Sequence, residues 1–189
     1  MDNKREYKIC TRCVMDTTAT EIIFDEKGVC NFCKEYDTLA EKTVLRPLSV
    51  RTKELEEAIL KIKELGKGEK YDCLIGLSGG VDSSYICLWA KQVGLRPLIV
   101  HFDNGWNSEL AVKNIENIIQ KLGFDLHTHV IGWEEFKDLQ LAYLKASVID
   151  IEVPTDQLIF ASLFQIAKKY KIKSVINGLN IVTEAILPN

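Results

Sequence analysis

Apolar residues recur along this chain in two rhythms. Leu55, Ala58, Ile59, Ile62 and Leu65 repeat every three or four positions, predicting a helix over 50–65 that Gly66 and Gly68 end. From residue 72 onward, short runs rich in Val, Ile and Leu alternate with stretches of helical period. The runs predict strands over 72–77, 97–102, 126–131 and 174–177. The stretches predict helices over 84–93, 108–122, 134–146 and 157–170. Apolar strands separated by helices imply an α/β fold, a parallel sheet with helices on both faces. Ligands of such sheets bind beyond the carboxyl ends of the strands, so the residues after each run carry the chemistry.

The first 37 residues follow neither rhythm. Cys10-Thr11-Arg12-Cys13 and Cys30-Asn31-Phe32-Cys33 stand sixteen residues apart, within the spacing range of zinc ribbons. Each pair is a tight knuckle that aims two thiolates at one point, and four thiolates close a tetrahedron around Zn²⁺. The alternatives are an iron–sulfur site or unrelated buried cysteines. Residues 21–29 read as a hairpin with Gly28 in its turn. A module this small has little core, so the metal supplies its folding free energy, and a closed site is structural. The expected organisation is a small zinc ribbon over 1–37, a helical linker over 38–70 and a sheet domain over 71–189.

Composition narrows the classes. With 47% hydrophobic and 27% charged residues, a net charge of −3 and no basic block, the chain lacks the footprint of a nucleic-acid surface. No stretch approaches membrane-spanning length, and the charged start lacks a signal-peptide core, so a cytoplasmic protein is expected. Six cysteines without a secretory signal favour metal or buried thiols over disulfides, with Cys73 and Cys87 read as core thiols. His127 and His129 share one strand face and read as structural.

After the first strand stands Ser78-Gly79-Gly80-Val81-Asp82-Ser83-Ser84. A strand running through glycines into a helix leaves backbone N–H groups free for an anion. Ser78, Ser83 and Ser84 add hydroxyls, and Asp82 offers a carboxylate to a metal ion. No Gly-Lys-Ser/Thr follows, so the Walker pattern does not apply. A plain glycine-rich turn is the other explanation. After the second strand, His101-Phe102-Asp103-Asn104-Gly105-Trp106 either meets an adenine with its backbone and a substrate with Trp106, or is an ordinary turn with Trp106 as a lid. Pro154 stops extension of the preceding helix, while Thr155 or Asp156 caps the next or meets substrate.

The loop closely resembles the pyrophosphate loop, or PP-loop, of N-type ATP pyrophosphatases, which cleave ATP to AMP and pyrophosphate. Gly178-Leu179-Asn180-Ile181-Val182-Thr183-Glu184 resembles the second ATP motif of ammonia-dependent NAD synthetases. That likeness implies that Glu184 and Asp82 hold Mg²⁺ at adjacent strand ends; a solvated helix-start acid is the plain alternative. Taken together, Cys-Thr-Arg-Cys-Val-Met-Asp at 10–16, Gly-Val-Cys-Asn-Phe-Cys at 28–33, the loop, Asp-Asn-Gly-Trp at 103–106 and the 178–184 run are similar to the N-acetyl sugar amidotransferases of bacterial surface-polysaccharide and nonulosonic-acid pathways.

The resemblance implies an adenine nucleotide alpha hydrolase-like fold and conversion of a sugar acetamido group to acetamidino, using ATP, Mg²⁺ and Zn²⁺. It implies catalytic roles for Ser78, Asp82 and Glu184, and nucleotide binding by Ser78, Gly79, Gly80, Asp82, Ser83, Ser84, His101, Phe102, Asp103, Gly178, Asn180 and Thr183. It also implies a partner glutaminase that supplies ammonia, and allows a homo-oligomer. Family members continue well past residue 189, so the chain reads as a fragment. A tRNA thiolase and a non-catalytic zinc-ribbon module stay open beside this reading.

Overall fold

The computed structural model describes residues 5–184. In chain order the elements are α1 (Asn31–Lys42), α2 (Leu48–Leu65), β1 (Cys73–Gly76), α3 (Val81–Gln92), β2 (Pro97–Asp103), α4 (Glu109–Leu122), β3 (Asp125–Val130), α5 (Trp133–Lys145), α6 (Val153–Lys169), β4 (Val175–Ile176) and α7 (Ile181–Glu184). The chain divides into two compact units, Met1–Glu54 together with Leu179–Asn189, and Leu55–Gly178.

In the second unit the strands lie in the order β3-β2-β1-β4, all pairs parallel. Alternation along each strand sends successive side chains to opposite faces. Leu74, Leu98 and Val100 meet Leu163, Ile166 and Ala167 of α6. Cys73, Ile75, Leu77 and Ile99 meet Cys87 and Ala90 of α3 and Ile115 of α4. Burial pushes the thiols of Cys73 and Cys87 up to about 12 and about 11, as expected for inert core groups. His127 lies against the Tyr170 ring, and His129 against Phe102 and Ser162.

The order of strands creates the functional crevice. Crossovers through α3 and α4, both packed on one face, carry the chain outward from β1 to β2 to β3. It then returns over the other face, and β4 pairs on the opposite side of β1, at Leu74↔Val175 and Ile75↔Ile176. Connections thus diverge between β1 and β4, which is where doubly wound sheets open a binding crevice. The entrance to the sheet is fixed by Asp72, only 3% exposed, which bonds the Arg96 guanidinium and accepts its backbone N–H at 3.0 Å.

Several boundaries differ from expectation. α3 begins at Val81 rather than Ser84, so Asp82, Ser83 and Ser84 are helical residues of the first turn. α6 begins at Val153: Pro154 lies in its first turn, where its missing N–H costs nothing, and Glu152 takes the cap position instead of Thr155 or Asp156. In α2 the expected face is only partly used, with Leu55 and Ala58 exposed.

In the first unit Cys10, Ile22, Cys30, Phe32 and Cys33 form the core. The hairpin over 21–29 is reduced to one bridge, Phe24↔Cys30. Asp25 explains this, because its carboxylate accepts the N–H groups of Lys27 and Val29, each at 2.9 Å, and curls the turn before a ladder can extend. Among the described residues, no helix is long and apolar enough to cross a membrane.

Candidate nucleotide site and metal centre

Beyond β1, Leu77 still donates its N–H to the Val100 carbonyl at 2.8 Å, and the chain then turns sharply. Gly79 has φ +82°, and a Cβ there would stand 2.5 Å from the Ala111 carbonyl oxygen of α4. Only glycine satisfies both conditions. Asn114 on α4 donates from Nδ2 to the Gly79 carbonyl at 3.1 Å, holding the loop from behind.

Hydroxyls fix the loop from within. The Oγ atoms of Ser78 and Ser83 are 3.1 Å apart, Ser78 Oγ accepts the Gly80 N–H at 3.3 Å, and Ser84 Oγ donates to the Gly80 carbonyl at 2.6 Å. Gly80 is the N-cap of α3 and supplies no side-chain cap. The first amides of α3 therefore point outward at the positive end of the helix dipole, which suits a phosphate chain. Asp82 stands exposed in this first turn, free to face a cation that accompanies the phosphates.

β2 runs further than its neighbour. β1 and β2 pair only to Gly76↔Val100, whereas β2 and β3 pair through Asp103↔Val130. On its β1 side, β2 thus passes beyond the end of the ladder over His101–Asp103. Projecting backbone of this kind offers N–H and C=O groups to the edge of a planar base. His101 is buried, with Nδ1 3.1 Å from the Leu77 carbonyl, and it positions the strand end. Phe102 points to the opposite face, against the α6 core. Asp103 turns back on its own loop, accepting the Gly105 N–H and the Asn107 Nδ2–H, both at 3.1 Å. A cavity of about 620 Å³ opens beside His101 and Asp103 and runs between α4 and β3, past Ile115, Glu116 and Thr128. Its size lies in the range of small-molecule sites.

Gly178, just past β4, closes on the phosphate loop: a Cβ there would come within 3.3 Å of the Ser83 nitrogen. The sequence pairing of these two strand ends is thus a spatial one. Asn180 immediately precedes the short α7, its Oδ1 accepting the Val182 N–H at 3.0 Å. The side chains of Thr183 and Glu184 lie outside those described, so their expected parts are not placed. Burial, then Asp150 and Glu152, raise the Asp156 carboxyl above its ordinary range.

The four cysteines of the first unit converge. Their sulfur atoms all lie within 4.8 Å of one another, with Cys10 and Cys33 at 4.0 Å and Cys13 and Cys30 at 3.7 Å. Four thiolates about 2.3 Å from one Zn²⁺ ion would stand roughly 3.8 Å apart. The cluster therefore fits a single tetrahedral ion and leaves no space for a polynuclear iron–sulfur core. Burial opposes ionisation of Cys10, but the amides of Arg12, Cys13 and Cys30 outweigh it and bring the thiol down to about 6. Burial and its neighbouring thiols push Cys33 the other way. Metal uptake must then release protons from the more resistant thiols.

Residues 72–188, more than half of the chain, match the family described as Queuosine biosynthesis protein QueC. The chain belongs to the QueC family. That places it among PP-loop enzymes that use ATP, and the loop geometry above is the part that carries such chemistry. The QueC match leaves out the four cysteines, which lie before residue 72. No curated protein matches the sequence significantly. Among solved structures, an NH3-dependent NAD synthetase from Campylobacter jejuni shares the fold, with TM-score 0.50 and 16% identity over 66% of this chain and 55% of that one. An NMN synthetase from Francisella tularensis gives TM-score 0.45 and 18% identity over 63% and 52% of the respective chains. The chain spans about half the length of these two structures.

For this QueC-family chain the donor set fits a magnesium nucleotide: free helix-start amides for phosphate oxygens, and a hard carboxylate beside them for the ion. Asp82→Asn is expected to lower the magnesium dependence of ATP binding by about tenfold, the scale of one lost charge contact at a partly exposed site. Because Asp82 is exposed, the melting temperature should hardly change. Titration of ATP with and without Mg²⁺ measures this, and an identical magnesium response in the variant would contradict the assignment.

Proposed function

We propose that the protein is an ATP-dependent amidotransferase that converts a sugar acetamido group to an acetamidino group. The supporting observation is the combination, in one chain, of a closed four-thiolate centre with an ordered Ser78–Ser84 loop and the Asp103-Asn104-Gly105-Trp106 turn. It is through this combination that the sequence resembles the N-acetyl sugar amidotransferases. The match over 72–188 favours a second reading, a step in queuosine biosynthesis, but it does not include the cysteines.

An amide carbonyl is a poor electrophile and its oxygen a poor leaving group. In the proposed reaction that oxygen attacks the α-phosphorus of ATP, and the bond to pyrophosphate breaks. Ammonia adds to the activated carbon, the C–O bond breaks, and AMP departs with the former amide oxygen as a proton is lost. The chain's task is to receive the departing pyrophosphate. Helix-start amides of α3 face that charge before it develops, and the hydroxyls of Ser78, Ser83 and Ser84 hold the loop that presents them. Mg²⁺ held at Asp82 would neutralise phosphate charge. Glu184 keeps the role that the resemblance assigns to it, and ammonia comes from a partner glutaminase.

The test follows the oxygen. With a sugar carrying labelled oxygen in its acetamido carbonyl, plus ATP and ammonia, the label is expected in AMP. ADP with phosphate, or label retained in the sugar after turnover, would overturn the reaction. Without a lysine at the loop, transfer of the γ-phosphoryl group has no obvious support.

A further inference from the structure

Two large aromatic side chains stand uncovered where the sheet's ligands bind. Trp106 lies in the turn after β2 and is 66% exposed, while Trp133 opens α5 just after β3 and is 41% exposed. β2 and β3 are neighbours, so both indoles occupy the carboxyl end of the sheet. Neither belongs to the two core clusters of the unit. The rings meet edge to face, with centroids 5.8 Å apart and planes at 69°. They form the two walls of an open corner.

The corner is built in advance of any ligand. Gly105 has φ +81°, and a Cβ there would come within 2.8 Å of the Trp133 ring, so the turn is fitted to that indole. Asn104 Oδ1 accepts the Trp106 N–H at 3.1 Å, and Gln140 Oε1 accepts the Trp106 indole N–H at 2.7 Å. Gln140 stands seven positions after Trp133, on the same face of α5. With its polar tip satisfied, Trp106 presents mainly apolar surface. Side chains held this way lose little freedom on binding.

Charge selects among flat ligands. Glu134 and Glu135 lie in the first turn of α5 next to Trp133. Lys137 follows Trp133 by one helical turn on the face that carries Gln140, so the rim holds an ammonium as well as carboxylates, and this mixture of donors and acceptors suits the hydroxyls of a neutral polyol. A pyranose offers one face lined with C–H bonds, whose partial positive charge matches the negative face of an indole. The corner also lies close to the phosphate loop along the chain: Trp106 precedes the Ser108 cap of α4 by two residues, and Ala111 of α4 touches Gly79.

We propose that Trp106 and Trp133 are the platform on which the pyranose ring of the acceptor stacks, with Gln140 as a positioning residue for Trp106. This rests on the amidotransferase reading and adds the surface that recognises the sugar. Intrinsic fluorescence tests it directly, since the third tryptophan, Trp89, is half-buried against the α3 side of the core. Titrating the protein with the methyl glycoside of N-acetylglucosamine should give saturable quenching. Trp106→Ala should weaken that binding and raise KM for the acceptor roughly tenfold, Trp106→Phe should restore most of both, and KM for ATP should stay unchanged. Unchanged glycoside affinity in Trp106→Ala, or quenching by AMP instead of by the glycoside, would overturn the platform. Tryptophan-dependent glycoside binding without amidine formation keeps the platform and defeats the reaction. Amidine formation with an unaltered acceptor KM in Trp106→Ala does the reverse.

Discussion

Replacing Cys30 by serine is expected to cost the chain its zinc and, with it, the fold of the first unit. Three of the five residues in that unit's core are themselves cysteines of the cluster, so little apolar packing survives without the metal. Zinc binding by such sites is worth about 10–16 kcal/mol, far more than this core supplies alone. Cys30 holds a further position, since its backbone N–H reaches Cys10 Sγ at 3.3 Å and it is the N-cap of α1. Metal analysis should find one zinc per chain in the parent and close to none in Cys30→Ser. Hydrogen exchange should show lost protection around residues 10–33 and retained protection in β1 and β2. Cys87→Ala serves as the control and should keep its zinc. No zinc in the parent, or an iron charge-transfer band after anaerobic purification, would refute the zinc assignment.

Gly79→Ala is expected to remove ATP binding and to lower stability, whereas Gly80→Ala should do little to the fold. At Gly79 a methyl group meets a backbone oxygen of α4 at 2.5 Å and must adopt φ +82°. The left-handed conformation costs about 1–2 kcal/mol and the overpacking about 1–3 kcal/mol more, or roughly 2–5 kcal/mol together. Relief of the clash must separate the loop from α4 and turn the helix-start amides away from the phosphates. Losing two charge-assisted bonds weakens binding by about 100-fold or more. At Gly80 the nearest atom to a new Cβ would be Ser78 Oγ at 3.4 Å, and φ is −77°. Calorimetry and denaturant unfolding on both variants separate the two effects. Equal stability and equal ATP affinity for Gly79→Ala and the parent would contradict the loop geometry.

Much of this arrangement was legible in the sequence, for identifiable reasons. The strands over 72–77 and 97–102 are legible because Cys73–Ile75 and Leu98–Val100 are continuous apolar runs covered on both faces, and glycine or proline stands close to their ends. The phosphate loop declared itself because its residue types serve backbone geometry, which is local. The start of α3 was misplaced for the same reason: serine and aspartate read as loop residues, yet here they occupy a first helical turn. Only the end of α1, from residue 38, falls in the expected helical linker, although Phe32, Cys33, Tyr36, Leu39 and Ala40 carry a helical stripe; the cysteine spacing drew the reading of its start toward a ribbon. Trp133, Gln140 and Asn114 were missed because their roles depend on distant segments. Asn114 meets the Gly79 carbonyl 35 positions away, and no local pattern announces such a contact.

The strand order also dictates when the protein can finish folding. β1 pairs with β2 across about twenty-five residues, but its bonds to β4 join positions about a hundred residues apart. During synthesis β1, β2 and β3 can assemble while β4 has yet to leave the ribosome. Until it arrives, β1, an inner strand of the native sheet, is an unprotected edge, with Leu74 and Ile75 presented to any other extended chain. The two residues of β4 are few, but they turn that edge into an interior. Slow emergence or premature termination before Val175 should therefore yield chains that aggregate through β1, although their first three strands are correctly formed.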